Sequence, residues 1–164
     1  MKIIITNTTS KKIEKKFYQY IKKAVTKTLL YSKKKFEGVN PVRDNPDERR
    51  DVGCLWQPIS NGVNIIFVND RKIKEINRKF LHKNKPTDVV VFNYDLNIPF
   101  KYGDIYISID TALRNSKVYR MDFKTEILIL VIHGTLHLAG YDDSTFKKRK
   151  KMNEKTLEVI KKLI

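Results

Sequence analysis

Six successive residues, Ile127-Leu128-Ile129-Leu130-Val131-Ile132, are apolar with no polar residue among them. Wound as a helix, such a run has no face to offer water, so the rest of the chain must wrap it. Asp122 can cap its start and Gly140 supplies the left-handed residue that ends it, which predicts a buried central helix running to about Leu138. A chain of 164 residues is long enough to bury such a helix in one domain. Hydrophobic residues at 41% and charged residues at 32% fit a soluble globular protein. No apolar run approaches the length of a membrane span, and the stretch Met1 to Asn7 is too short for a signal peptide. A single cysteine, Cys54, rules out an intramolecular disulfide framework and a cysteine-rich zinc site. A cytoplasmic protein with no membrane and no disulfide partner is the expectation.

Short apolar runs and amphipathic stretches surround the central helix. Residues 2–6 read as a strand, and Ser10 is placed to cap a helix with Ile13, Phe17, Ile21, Val25 and Leu29 at every fourth position. The segments 63–69, 87–92 and 105–109 read as three further strands. Asp70 and Asp110 are placed to cap short helices, and Ser144 to start a basic C-terminal helix with Met152, Leu157 and Ile160 inward. Between Gly38 and Gly62 lysine vanishes and prolines punctuate the chain, which predicts a long irregular surface loop holding Cys54 and Trp56. The expected fold is α+β: one domain over 1–164, with a small mixed four-stranded sheet packed with about five helices.

Lys and Arg number 34 against 18 Asp and Glu, a net charge of +16. A charge of that size favours polyanions, phosphate backbones above all, with lysine as a generic solubiliser the competing reading. His133 and His137 stand at spacing i, i+4 in the last turns of the central helix, so their rings share a face. Gly140 then reverses the chain and returns Asp142 and Asp143 toward that face. Histidine, histidine, glycine three on and a ligand six on is the metzincin zinc spacing, with Asp143 where that pattern has its third histidine. Two imidazoles and a carboxylate form a normal zinc set with a fourth position open, so a zincin-like site on the buried helix is expected. The catalytic group would be a metal-bound water held by His133, His137 and Asp143. Zn2+ is the expected ion, one per chain, with Ni2+ a possible competitor. The glutamate that serves metzincins as general base is replaced by Gly134, which counts against peptide hydrolysis. Metal-assisted cleavage of a phosphodiester meets both constraints.

The run His133-Gly134-Thr135-Leu136-His137-Leu138-Ala139-Gly140-Tyr141-Asp142-Asp143 resembles the signature of the YbeY family, metal-dependent endoribonucleases of rRNA maturation. Asn77 with Phe80, Thr87-Asp88-Val89 with Phe92, and Gly103-Asp104-Ile105 with Ser108 also look like it, in order, over more than half the chain. The resemblance implies a single-strand-specific endoribonuclease acting in 16S rRNA 3′-end maturation and ribosome quality control, with single-stranded RNA and the small-subunit rRNA or ribosome as partners. Two positions depart from the family pattern. Asp143 stands at the usual third histidine, where a branch of the family carries aspartate, and Leu81 stands where many members have an arginine. Arg78, His82 and Lys83 are nearby basic candidates for substrate binding, together with Thr87 and Asp88, which could line the cleft or simply begin a strand. The alternatives are an RNA-binding ribosome-assembly factor whose metal is structural, or, less well supported, a metallopeptidase.

Overall fold

The computed structural model describes residues 1–36, 62–94 and 102–163. In chain order its elements are β1 (Lys2–Asn7), α1 (Lys15–Phe36), β2 (Gly62–Val68), α2 (Asp70–Leu81), β3 (Val89–Tyr94), β4 (Tyr102–Ser108), α3 (Ile109–Val118), α4 (Phe123–Leu138) and α5 (Phe146–Lys161). The long loop expected at 38–62 lies outside the described residues except for Gly62, which opens β2.

The expected mixed sheet is present, in the order β1-β2-β4-β3. β1, β2 and β4 run parallel, and β3 pairs antiparallel with β4 as an edge strand. Because strand side chains alternate, the sheet has two distinct faces. One carries Val63, Ile65 and Phe67 of β2 with Ile105 and Ile107 of β4, all fully buried under α1, α4 and α5. The other carries Val68 and Val90, covered by Ile73 and Ile76 of α2, with Ile66, Phe92 and Tyr106 beside them.

Helix α4 is the centre, touching α1, α3, α5, β3 and β4. Ile127, Val131, Ile132 and Leu136 have no measurable exposure. At roughly 1.5–3 kcal/mol for each large aliphatic side chain removed from water, this helix anchors the fold. Asp122 caps it as expected, accepting from the backbone N–H of Lys124 at 2.8 Å and of Thr125 at 3.2 Å.

The other caps differ from the sequence expectation, each for a local reason. Asn69, not Asp70, caps α2 by accepting from Lys72 N–H, which frees Asp70 to bind elsewhere. Ser108 caps α3 in place of Asp110, and Thr145 caps α5 in place of Ser144. Ser144 instead donates its hydroxyl to Asp142 at 2.5 Å. Helix α1 begins at Lys15 rather than after Ser10. Asn7 holds the intervening turn: its side chain accepts from Thr9 N–H and donates to the Lys11 carbonyl. Such local side-chain bonds compete with helix, and here they win. Ile13 still packs against the core from outside the helix.

Candidate metal centre

The end of α4 is built by its C-cap. Gly140 adopts φ 85°, the left-handed conformation that a residue bearing Cβ resists. Gly140 N–H bonds the His137 carbonyl at 2.9 Å, and Tyr141 N–H bonds the Leu136 carbonyl at 3.0 Å. This is the Schellman pattern, and it folds the chain back on the last helical turn. The reversal sets Asp143 opposite the two histidines, as the spacing predicts.

His133 and His137 have ring centroids 4.9 Å apart with planes at 80°. Asp143 Oδ2 lies 3.7 Å from His133 Nε2, and its Oδ1 lies 3.9 Å from His137 Nε2. Both distances exceed a hydrogen bond. One donor atom from each of the three residues falls within 4.8 Å of the other two, which is room for a cation between them. A tetrahedral zinc with ligands at about 2.0–2.2 Å needs its donors roughly 3.4 Å apart, so a small contraction suffices. The donor set fits a divalent transition metal.

The surroundings favour the ligating form of each ring. His137 Nδ1 lies 3.2 Å from the Tyr141 carbonyl, which can only accept, so Nδ1 carries the proton and Nε2 keeps its lone pair for the triad. Burial pushes the His133 pKa below its ordinary value, and the neighbouring His137 adds to that. The carboxylates Asp143 and Asp88 pull the other way without reversing it. His133 is therefore neutral at neutral pH.

Gly134 occupies the position of the protease general base, and the structure shows why no side chain stands there. A Cβ would sit 2.7 Å from Ile105 Cγ2 on β4. The space that a glutamate needs is filled by the sheet. Asp142, adjacent in sequence to Asp143, turns away. It accepts from Ser144 and from Lys148 Nζ at 3.2 Å, and these bonds hold its carboxyl at about 2.

The remaining candidates divide into two groups. Asp88, just before β3, lies where its charge raises the His133 pKa. Its Oδ1 accepts from Val89 N–H at 2.8 Å and from the Thr87 hydroxyl at 3.1 Å, so both residues also have the strand-starting role. Arg78 lies in the last turn of α2, and His82 is its left-handed C-cap at φ 55°. The N–H of Lys83 bonds the Asn77 carbonyl at 3.1 Å. Arg78, His82 and Lys83 are exposed, and no contact joins them to the triad among the described residues.

Two further groups escaped the sequence reading. The Tyr141 carbonyl, which orients His137, belongs to the backbone and leaves no compositional trace. Glu126 stands two helical turns before His133 on the same face of α4. It is 3% exposed, and its Oε1 accepts from Asn115 Nδ2 at 3.2 Å. Burial raises its pKa despite that bond, and the Asp88 charge adds to the rise. The seven-residue spacing from His133 was the available signal.

Comparison with known proteins gives a consistent assignment. The profile of the family described as Endoribonuclease YbeY matches residues 4–164. A protein named Endoribonuclease YbeY from Elusimicrobium minutum is 40% identical over 107 residues, covering 62% of this chain and 73% of that protein. One of the same name from Thermotoga neapolitana is 43% identical over 94 residues, covering 57% and 61%. The solution structure of a Thermotoga maritima protein superposes with a TM-score of 0.57 at 25% identity, covering 99% of this chain and 89% of that one. With nearly its whole length matched by the family profile, and with the signature histidines on one helix beside an aspartate, the chain belongs to the YbeY endoribonuclease family.

Proposed function

We propose that this protein is a metal-dependent endoribonuclease that cuts single-stranded RNA, with His133, His137 and Asp143 as the metal ligands and Zn2+ as the ion. Ni2+ is the competitor that a site with two imidazoles would admit. The observation that carries the reading is Gly134 packed on Ile105: the ligand spacing is that of a metallopeptidase, yet the position of the peptidase base is closed. When bound, the ion would supply Lewis-acid polarisation of a phosphoryl oxygen and acidification of an attacking water. The chain's own residues do the rest. His137 is oriented by the Tyr141 carbonyl, His133 is kept neutral by burial, and Asp143 closes the set from the turn. The net charge of +16 draws the phosphate backbone toward the protein. Thr87 and Asp88, and more remotely Arg78, His82 and Lys83, are the substrate-contact candidates. Family membership supports rRNA processing as the process, with 16S rRNA 3′-end maturation and ribosome quality control as the specific roles, in the cytoplasm. Among the described residues no helix is long and apolar enough to cross a membrane.

Leu81 favours a second reading. It is exposed at the end of α2, where many family members resemble one another in carrying an arginine, so an RNA-binding assembly factor with a structural metal is the alternative. One comparison separates the readings. The purified protein and its His137→Ala variant are incubated with single-stranded RNA and with an unstructured protein. RNA cleavage that disappears in the variant supports the nuclease. Binding without cleavage supports the assembly factor, and proteolysis overturns both.

A further inference from the structure

The face of the sheet opposite α4 is incompletely covered among the described residues, and what it shows is aromatic. Phe92 and Tyr94 of β3 stack at 6.5 Å between centroids. Phe92 also meets Phe80 of α2 edge-on at 5.2 Å and Tyr106 of β4 at 5.9 Å. Phe80 is 53% exposed and Tyr94 39%, so rings that would ordinarily be covered face solvent. The group is held rigidly. Asp104, between them on β4, accepts from Tyr94 OH at 3.1 Å and from Asn64 Nδ2 at 2.8 Å. Its negative charge is thus shared with two donors.

The rim is basic. A concavity of ≈ 600 Å³ between Phe80 and Tyr106 is bordered by Lys72, Arg78 and Lys79. Lys79 Nζ lies 5.2 Å from the Phe80 ring centroid, in cation–π range. Among the described residues the one acidic side chain bordering this concavity, Glu75, is paired with Lys72 and Arg71. Exposed rings on a sheet, framed by cations, match a single-stranded nucleic acid in both respects: bases stack on the rings and phosphates meet the cations. An acidic or apolar protein partner would satisfy only one of the two.

Resting on the nuclease reading above, we infer that Phe80, Phe92, Tyr94 and Tyr106 form a base-stacking platform for the single-stranded RNA substrate, separate from the metal triad. β3 is an edge strand whose Val89 and Val91 face the α4 side while Phe92 and Tyr94 face the platform. A flexible strand lying on the platform reaches the α4 side by turning over that edge, whereas a rigid duplex does not. The platform therefore selects single strands before the triad meets them.

The test uses the full-length, zinc-loaded protein and a 12-nucleotide oligouridine carrying 5-iodouridine, in anisotropy titrations and in photo-cross-linking mapped by mass spectrometry. Phe80→Ala/Tyr94→Ala should weaken binding about tenfold or more, with the loss appearing in KM and with metal content unchanged. Phe80→Tyr and Tyr94→Phe should restore binding, and Phe80→Leu should not, which separates stacking from simple packing. Cross-links should map to Phe80, Phe92 or Tyr94. Unchanged affinity in the double variant, or cross-links confined to other elements, overturns the platform while leaving the nuclease intact if RNA is still cut. If the parent protein neither binds nor cuts the oligonucleotide, the nuclease reading and the platform fail together.

Discussion

Two polar clusters in this molecule use aspartate for opposite ends. The first lies at the C-terminal ends of β2 and β4. Asp70 accepts from the Ser108 hydroxyl at 2.5 Å, the Thr111 hydroxyl at 2.7 Å and Arg114 at 2.7 Å. Asp110 accepts from Asp70 N–H at 3.1 Å and from Lys11 at 3.0 Å. The second is the triad at the end of α4, where the Asp143 carboxylate faces two imidazoles at 3.7 and 3.9 Å. Carboxylates that hold a fold together are saturated with donors at hydrogen-bond distance. Asp143 is aimed at two nitrogens that lie too far for such bonds and converge on one point. The first cluster ties the starts of α2 and α3 to the turn after β1, and the second leaves room for an ion. Donor saturation separates the aspartates that tie the fold from the one that faces the histidines.

The largest effect should come from removing the proposed third ligand. Asp143→Ala should cut metal affinity by more than the roughly 10–100-fold that loss of an outer-shell partner costs, and RNA cleavage should fall with it. Chelator competition and metal analysis of the purified variant check this. Asp143→His should retain the metal, because zinc accepts imidazole at nearly the same distance. An Asp143→Ala protein with full metal occupancy would break the contrast outright.

Asp70→Ala tests the other cluster. It strands Ser108, Thr111 and Arg114 together, so unfolding free energy should drop by about 2–3 kcal/mol while metal content stays unchanged. Denaturant titration measures the first and metal analysis the second. The same variant should alter acid unfolding. Burial pushes the Asp70 carboxyl up, but its three hydrogen bonds and the Arg114 charge outweigh that and hold it below its ordinary 3.8. The backbone N–H of Asp70 and then Lys11 lower Asp110 similarly. A carboxylate with a depressed folded-state pKa stabilises above its unfolded value and loses that contribution as pH falls through the folded one. Glu158, held at about 2 chiefly by the Tyr31 hydroxyl at 2.5 Å, acts in the same window. Stability of the parent should therefore decline from about pH 4.5 toward 2, and more shallowly in Asp70→Ala.

Gly134→Ala sharpens the comparison from the core. The added methyl meets Ile105 at 2.7 Å, a branched side chain with little freedom to yield. Overpacking of this kind costs about 1–3 kcal/mol. Because α4 must shift against β4, metal affinity should weaken with stability, unlike the result for Asp70→Ala. Thermal melts with and without added zinc would show both losses.

The smallest effect is expected at Asp142→Ala. Its bonds to Ser144 and Lys148 lie at the surface, so the cost should stay below about 1 kcal/mol, with metal bound as before. Metal loss in this variant would mean that the two neighbouring aspartates exchange roles.

The candidate triad was legible in the sequence because its spacing is local. His133 and His137 share a face through the 3.6-residue period, Gly140 reverses the chain by needing no Cβ, and six apolar residues in a row between the Asp122 cap and that reversal fit a buried helix. Each of these follows from a window of a few residues. Helix starts were less legible where two capping residues sit side by side. Asn69-Asp70 and Ser144-Thr145 each offer two good caps, and the choice falls to whichever side chain is not engaged elsewhere.

What the sequence by itself determined is thus the central helix, the meeting of His133, His137 and Asp143 at its end, and the order of elements. Only the tertiary structure decided the strand order β1-β2-β4-β3, the closing of position 134 by Ile105, and the gathering of Phe80, Phe92, Tyr94 and Tyr106 on one face. The reason is physical. A helix turn or a C-cap is set by dihedral angles and spacings along the chain, whereas these features depend on which strands pair and in what register. A one-residue slip in β3 would send Phe92 to the α4 side and Val91 to the platform. Register is settled by the burial of both sheet faces at once, and no local window of the sequence contains it.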